Sequence, residues 1–232
     1  YFTKHEPPES KIEQKTAELF DLLYGGTVGE KPPVDYPPVN LDPEFPKKIN
    51  GQDYKLHKHQ NDALSEWKAN DYKGIFALAT GSGKTITAIH SSVAISKTGG
   101  GDLAVIVSVP YIVLADQWCE VFKLYNINPI KCYISTNKWR KELSKEIANF
   151  NLIPSKKFLA LVVVNKTLVS DQFQDEIKKI EKDKLLFIGD ECHHHASEDT
   201  IKKLPDARYR MGLSATPWPE EGENKDLLSK YY

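Results

Sequence analysis

Short apolar runs alternate with segments of helical periodicity from about residue 54 onward. The runs consist almost entirely of Val, Ile, Leu, Phe and Ala, as in strands that helices cover on both faces. They predict strands near residues 74–79, 103–108, 129–134, 158–164, 185–190 and 209–213. The intervening segments predict helices near residues 58–68, 84–96, 111–124, 138–150 and 168–180. This alternation is typical of βαβ units, so we predict an α/β domain with a mostly parallel sheet and helices on both faces.

The first 53 residues have a different pattern, dominated by proline. Eight of the 14 prolines of the chain fall there, a density that prevents a continuous helix or a central strand. A capping box at residues 10–13 and a Gly-Gly stop at residues 25–26 predict one amphipathic helix near residues 11–24. We therefore predict a proline-rich leader over residues 1–53 and a folded domain over residues 54–232.

Composition and charge exclude several classes of protein. The formal net charge is −1, which excludes a uniformly basic nucleic-acid coat but not a local basic face. The apolar runs are far shorter than the roughly 18 to 20 residues of a membrane span, so no membrane partner is expected. Cys119, Cys132 and Cys192 lack C-x-x-C spacing, which favours a reducing, cytoplasmic setting without disulfides. The chain begins with Tyr1, and we expect it to be part of a longer protein.

The clearest motif joins a predicted strand to a predicted helix. It reads Thr80-Gly81-Ser82-Gly83-Lys84-Thr85. Its glycines let the backbone curl around a polyphosphate, and the amides at the helix N-terminus supply partial positive charge. Lys84 adds a full charge near the terminal phosphates, and the Thr85 hydroxyl can ligate Mg²⁺. The motif predicts an ATP–Mg²⁺ site, although the general pattern G-x-x-x-x-G-K-[ST] has glycine where this chain has Leu78.

An acidic pair follows another predicted strand. Asp190 and Glu191 come at the carboxyl end of the strand at residues 185–190, where ligands bind in open α/β folds. Asp190 can hold Mg²⁺ opposite Thr85, and Glu191 can act as the base that polarises the attacking water. Two adjacent acids at a strand end are more often a solvated turn. Together with the phosphate loop, however, they predict the second half of an ATP-hydrolysing site that includes Lys84.

The sequence Asp190-Glu191-Cys192-His193 resembles the D-E-x-H box of superfamily 2 helicases. Residues 80–85 resemble the first motif of that superfamily, in which the early glycine is commonly absent. Two later segments resemble further motifs in the same order, namely Val109-Pro110-Tyr111 and Gly212-Leu213-Ser214-Ala215-Thr216-Pro217. The resemblance covers about residues 54–219 and implies a RecA-like P-loop NTPase domain. The D-E-C-H-H form and Gln117-Trp118 are most similar to the branch of restriction-enzyme motor subunits and DNA repair helicases.

The resemblance implies three further groups of site residues. These are Gln60 for adenine, His193, Ser214 and Thr216 for coupling hydrolysis to motion, and Pro110, Tyr111 and Thr167 for nucleic acid. The resemblance favours DNA over RNA as the nucleic-acid partner. It also implies a second RecA-like domain that supplies arginine fingers, and no such domain follows the Ser-Ala-Thr motif here. We therefore expect this chain to bind ATP–Mg²⁺ and, alone, to hydrolyse ATP poorly.

Several alternatives stay open at the level of sequence. A nucleotide-binding scaffold without catalysis is one, although intact Lys84 and Glu191 argue against it. Cys192 and the histidines at 193–195 could suggest a metal cluster, but four consecutive residues cannot all face one ion. His194 and His195 are otherwise expected to be exposed loop residues. Thr167 is equally compatible with a plain helix N-cap. The mixed charges of residues 138–146 suggest a solvated helix face.

Overall fold

A computed structural model describes residues 42–49, 51–98, 101–216 and 224–232. The predicted helix near residues 11–24 and the end of the Ser-Ala-Thr segment at Pro217 lie outside these ranges. The strands are β1 Lys48–Ile49, β2 Gln52–Asp53, β3 Lys73–Ala77, β4 Leu103–Val109, β5 Ile130–Cys132, β6 Phe158–Val164, β7 Leu185–Asp190 and β8 Tyr209–Ser214. The helices are α1 Lys58–Ala69, α2 Lys84–Thr98, α3 Ile112–Leu124, α4 Thr136–Leu152, α5 Asn165–Leu168, α6 Asp171–Ile177, α7 Glu198–Ile201 and α8 Asn224–Tyr231.

Six strands form one parallel sheet in the order β3-β8-β7-β4-β6-β5. This confirms the predicted parallel α/β architecture, and each of the six predicted strands is present. At the carboxyl edge, Ala77 pairs with Ser214 and Leu213 pairs with Asp190. The loops that follow β3, β8 and β7 therefore lie side by side, and the loops after β4 and β6 continue the same edge.

Helices cover both faces of the sheet, because alternate residues of each central strand point to opposite sides. In β7, Leu185 and Phe187 join one buried cluster with residues of α4, α6 and α8. Leu186 and Ile188 join the other cluster with residues of α1, α2 and α3. Both faces of the central strands are thus desolvated, which explains why their sequences are mostly apolar.

The prediction of one continuous helix over residues 168–180 is wrong. The structure has the short helix α5 at Asn165–Leu168 and a separate helix α6 at Asp171–Ile177. Ser170 has extended backbone angles, and its hydroxyl accepts a hydrogen bond from the Phe173 amide, so it caps α6 and interrupts the helix.

Residues just before the predicted start of the domain contact it closely. The Glu44 amide donates to the Tyr125 carbonyl (2.8 Å), and Phe45 packs against the His90 ring (centroids 4.6 Å apart). The Tyr54 hydroxyl bonds both His90 Nδ1 and Tyr125 Oη, each at 2.7 Å. The described part of the leader thus packs on α2 and α3, while the boundary at residue 53 stays a prediction.

Among the described residues, no helix combines the length and apolar character needed to cross a lipid bilayer.

Candidate functional site

The phosphate-loop sequence forms a tight turn between β3 and the start of α2. Gly81 and Gly83 have φ values of +80° and +84°, a backbone conformation that glycine adopts without steric cost. α2 begins at Lys84, and the Thr87 amide donates to the Gly83 carbonyl. Lys84 Nζ donates to the carbonyl oxygens of Leu78 (2.8 Å) and Ala79 (3.2 Å). The loop therefore places an ammonium group and a helix N-terminus at the carboxyl edge of the sheet.

Gln60 connects helix α1 to this loop. Its Oε1 accepts a hydrogen bond from the His57 amide (2.8 Å), and its Nε2 contacts the carbonyl oxygens of Ser82 (3.4 Å) and Gly83 (3.3 Å). His59 Nε2 also lies 3.0 Å from the Ser82 carbonyl oxygen and donates to it. Gln60 is buried although it is polar, because both ends of its amide are satisfied. The residue predicted for adenine thus borders the predicted phosphate site.

Replacing Gly83 by alanine is expected to displace Gln60 and weaken ATP binding. A Cβ atom at Gly83 would lie 2.5 Å from Gln60 Nε2, whereas a Cβ at Gly81 would meet nothing within 4 Å. Gly81→Ala therefore serves as the matched control, since it lies in the same loop and brings similar backbone strain, of about 1 kcal/mol, without the contact with Gln60. Calorimetric ATP titrations of the two variants measure the difference. Equal losses of affinity would show that the Gln60 contact has no consequence for nucleotide binding.

The carboxylate of Asp190 is buried at the end of β7. Trp118 Nε1 donates to its Oδ2 (2.7 Å), and the Glu191 amide donates to its Oδ1 (3.1 Å). Burial raises the pKa of Asp190, the Glu191 charge raises it further, and the Trp118 hydrogen bond and the Lys84 charge oppose this rise. The Lys84 charge makes the smallest of these contributions, and it favours the charged form of Asp190.

Glu191 has a left-handed backbone, with φ +46°. This conformation turns the chain sharply after β7. Ser214 Oγ donates to Glu191 Oε2 (3.4 Å), and His193 Nδ1 lies 3.5 Å from the same oxygen and 3.1 Å from Ser214 Oγ. The Thr216 amide donates to Ser214 Oγ (3.2 Å). The acidic pair and the Ser-Ala-Thr segment are therefore joined side by side, as the adjacent strands β7 and β8 require.

The two last histidines of the D-E-C-H-H-H segment differ in environment. His194 is exposed, as predicted, but His195 is fully buried, so the prediction of an exposed loop is wrong for it. His195 Nδ1 lies 2.8 Å from Tyr232 Oη, and its Nε2 lies 3.2 Å from Asn165 Oδ1. A histidine in a polar segment is expected at the surface, but here two partners far away in sequence satisfy the buried ring.

The geometry does not support a metal cluster at residues 192–195. Cys192 is buried beside Gly212, while His195 turns towards Tyr232 and Asn165. Over residues 42–49, 51–98, 101–216 and 224–232, no three His, Cys, Asp or Glu side chains are grouped as metal ligands.

Stability should depend on pH through His195. Burial lowers the pKa of His195 to about 3, so the folded state binds its proton more weakly than the unfolded state does. The stabilisation that this gives is complete above the unfolded pKa of about 6.5 and is lost as the pH falls towards 3. We expect the free energy of unfolding to fall through this residue by on the order of 2 kcal/mol between about pH 7.5 and pH 4.5.

Urea unfolding at the two pH values measures this effect. His195→Phe is the comparison variant, because it keeps a planar ring without the titrating nitrogens. The loss of stability at low pH should be smaller in the variant than in the native chain. The same pH dependence in both proteins would contradict the assignment to His195.

The predicted nucleic-acid residues lie on the other half of the same sheet edge. Pro110 and Tyr111 follow β4; Tyr111 is 61% exposed, and its ring lies 6.0 Å from that of His194. Thr167 lies inside α5, whose N-cap is Val164, so the alternative of Thr167 as a helix N-cap is wrong. Val109 and Val164 are paired across β4 and β6, which places the two loops next to each other.

The charged face of α4 agrees with its prediction except at one residue. Lys138, Arg140, Lys141, Glu142 and Lys145 are exposed. Glu146 is instead buried, and its Oε2 accepts a hydrogen bond from Lys156 Nζ (2.8 Å). The mixed charges therefore form a solvated face with one buried, satisfied carboxylate.

The site as a whole occupies one edge of the sheet, in two groups. The first group lies at the carboxyl ends of β3, β8 and β7 and consists of the phosphate loop, the acidic pair, His193, Ser214 and Thr216, with Gln60 of α1 beside the loop. The second group follows β4 and β6 and consists of Pro110, Tyr111 and Thr167. Sequence reasoning missed Trp118 as the partner of Asp190 and Asn165 as the partner of His195. Trp118 belonged to a noted motif, but nothing local in the sequence indicated Asn165.

Fold and site together define a RecA-like P-loop domain of the superfamily 2 helicase type. The family model described as "Type III restriction enzyme, res subunit" matches residues 53–218. The chain belongs to this family. No curated protein sequence matches the chain significantly.

Solved helicase and restriction-enzyme structures share this fold. A nuclease-deletion mutant of the Type ISP restriction-modification enzyme LlaGI, in complex with a DNA substrate mimic, superposes with a TM-score of 0.57 at 22% identity over 71% of this chain. The UvsW helicase from bacteriophage T4 gives 0.53 at 17% identity, covering 94% of this chain and 75% of UvsW. The SWI2/SNF2 ATPase core of Sulfolobus solfataricus, in complex with dsDNA, gives 0.55 at 18% identity, covering 82% and 36% of the two chains.

The chain is much shorter than the first of these relatives. It spans 18% of the LlaGI chain and 13% of the Type ISP enzyme LlaBIII, which is described as ATP-dependent and bound to DNA.

Proposed function

We propose that this chain is the nucleotide-binding RecA-like domain of an ATP-dependent DNA helicase or translocase. The observation that carries the proposal is the placement of the phosphate loop and the acidic pair at adjacent strand ends, with Ser214 between them. A scaffold without catalysis would need the loop but not a base held beside it. Membership of the restriction-subunit family supports the same function.

The residues present fit ATP and Mg²⁺. Thr85 and Asp190 offer the hydroxyl and carboxylate oxygens that Mg²⁺ prefers, and bound Mg²⁺ would neutralise charge on the phosphates. Ser82 Oγ is buried without a hydrogen-bond partner among the described residues, which suits an oxygen-rich ligand in the loop. We assign Gly81, Gly83 and Lys84 to the phosphates, Thr80 and Ser82 to the wall of the loop, and Gln60 to adenine.

Glu191 is the proposed general base. Its carboxylate is one-third exposed, so it can reach a water molecule, whereas that of Asp190 is buried. His193 and Ser214 contact its Oε2 and are the proposed couplers between the acidic pair and the Ser-Ala-Thr segment, together with Thr216. A change in the position of Glu191 can therefore be transmitted through Ser214 to the Ser-Ala-Thr segment at the end of β8.

We further propose that a second RecA-like domain completes the site, because none of the three arginines of this chain is near it. Arg140 pairs with Glu176, Arg208 with Asp71 and Arg210 with Asp206. Arg208 directly precedes β8 and Arg210 is its second residue, so both lie at the edge of the sheet opposite to the phosphate loop. Arginine fingers contribute about 10³- to 10⁵-fold to turnover in related phosphoryl-transfer enzymes, so the chain alone should bind ATP and hydrolyse it slowly.

We propose that the nucleic acid along which the protein moves is DNA, and that Pro110, Tyr111 and Thr167 bind it through phosphate and sugar contacts. Three structures similar to this chain are complexes with DNA or a DNA mimic, which supports DNA over RNA. A cytoplasmic location is part of the same proposal and agrees with three free, buried cysteines in the described residues.

ATP turnover of the full-length protein, with and without nucleic acid, tests the proposal. We expect DNA to stimulate turnover more than RNA of the same sequence. Turnover that no nucleic acid alters would favour a nucleotide-binding scaffold. Stronger stimulation by RNA than by DNA would contradict the proposal that the partner is DNA.

A further inference from the structure

A chain of buried and partly buried polar side chains joins three loops of the site edge. His195 lies in the 3₁₀ turn directly after Glu191, Asn165 opens α5 after β6, and Ser108 lies near the end of β4. Asn165 Oδ1 is 3.2 Å from His195 Nε2 and 2.6 Å from Ser108 Oγ. One amide oxygen thus connects the loop of the acidic pair to both loops of the predicted nucleic-acid contacts.

The direction of each hydrogen bond follows from its partners. Asn165 Oδ1 is only an acceptor, so His195 Nε2 and Ser108 Oγ both donate to it. His195 is neutral because burial lowers its pKa to about 3, so its Nδ1 carries no proton and accepts from Tyr232 Oη. Both ring nitrogens are therefore hydrogen-bonded, and a shift of His195 would break one buried and one partly buried hydrogen bond.

Packing leaves the His195 ring little freedom to move. It is nearly parallel to the Tyr232 ring (13°, centroids 6.4 Å apart), and the ring of Phe187 of β7 lies against both, with centroids 5.9 Å from His195 and 6.3 Å from Tyr232. A Cβ atom at Gly189 would overlap Tyr232 Oη and approach His195, so the absence of a side chain there makes room for the pair. The ring is a rigid connector, not a mobile surface group.

We propose that His195 is a positioning residue that transmits the state of the nucleic-acid contacts to the acidic pair. The route runs from Pro110 and Thr167, which lie two residues beyond Ser108 and Asn165, through the shared amide oxygen to the turn that holds Glu191. This inference rests on the proposed function and adds the residue that links its two halves. Among the described residues, the hydrogen-bond partners of the His195 side chain are Tyr232 and Asn165. Neither of these is a predicted nucleotide-binding or DNA-contacting residue.

ATP turnover of the full-length protein carrying His195→Phe, with and without saturating DNA, tests the inference. The variant keeps the stacked ring and loses both hydrogen bonds. We expect basal turnover and the KM for ATP to stay within about twofold of the native values, while the stimulated kcat falls about tenfold. Asn165→Ala should give the same split, and the double variant should be no worse than either single variant, because both changes break one connection.

His90→Phe is the matched control, because His90 is also hydrogen-bonded and partly buried but lies on α2 away from the connector. It should leave stimulation intact. Equal loss of basal and stimulated turnover in His195→Phe would overturn the inference, and so would unchanged stimulation in a folded variant. If His195→Phe does not fold, the same two outcomes are judged on Asn165→Ala. If the native protein binds ATP but shows no stimulation by DNA, the proposed function itself fails.

Discussion

Lys84→Ala is expected to weaken binding of ATP to this chain by roughly 10- to 100-fold. The ammonium group is held at the mouth of the phosphate loop by the carbonyl oxygens of Leu78 and Ala79, at the N-terminal end of α2. Hydrogen bonds to charged groups are worth about 1.5 to 3 kcal/mol, which corresponds to this loss of affinity. Calorimetric titration with ATP in the presence of Mg²⁺ measures it directly.

Lys97→Ala provides the control for this experiment. Lys97 lies on the same helix α2, in its last turn, and carries the same charge far from the loop. Its removal should leave the affinity for ATP within about twofold of the native value. Thermal unfolding of both variants shows whether the domain is intact, and native affinity in a folded Lys84→Ala protein would contradict the assignment of the loop.

Glu191→Gln should separate nucleotide binding from hydrolysis in the full-length protein. Glutamine has nearly the same shape and retains an oxygen that can accept the hydrogen bond from Ser214, so ATP affinity should change little. It cannot accept a proton from the attacking water, and general-base catalysis contributes about 10²- to 10⁴-fold. DNA-stimulated turnover should therefore fall by at least about 100-fold.

Glu198→Gln is the matched control, because Glu198 is an exposed carboxylate on α7 that pairs only with Lys202 among the described residues. Its turnover should be native. Hydrolysis at the native rate by Glu191→Gln would show that another group activates the water. Loss of ATP binding in the same variant would instead show that Glu191 acts on the ground state.

The sheet could be predicted from the sequence because its strands are buried on both faces. β6 is a continuous run of apolar residues and β7 is one from Leu185 to Ile188, and the predicted bounds of both strands coincide with those of the structure. The break between α5 and α6 could not be predicted in this way, since the apolar positions of both helices continue one helical period. The break depends on Ser170, whose side chain caps α6. The local sequence pattern is the same whether Ser170 caps a new helix or continues the previous one.

The candidate site also contains residues that local motifs predict and contacts that only the tertiary structure shows. The phosphate loop and the acidic pair are local motifs, and short-range steric and electrostatic constraints allow few other uses for them. Gln60 was expected only by resemblance, and the structure shows its contact with the loop. The role of Trp118 beside Asp190 depends on a contact across 72 positions of the chain, which no local pattern encodes.

The sequence by itself determined the strands, most helices and the types of residue at each strand end, because these depend on periodicity and on the chemistry of neighbouring residues. Only the tertiary structure decided the strand order, and with it which loops meet at one edge. It also decided the burial of His195, whose partners Asn165 and Tyr232 lie 30 and 37 positions away. Burying a polar ring is favourable only when distant groups satisfy it, and that condition is set by packing between elements.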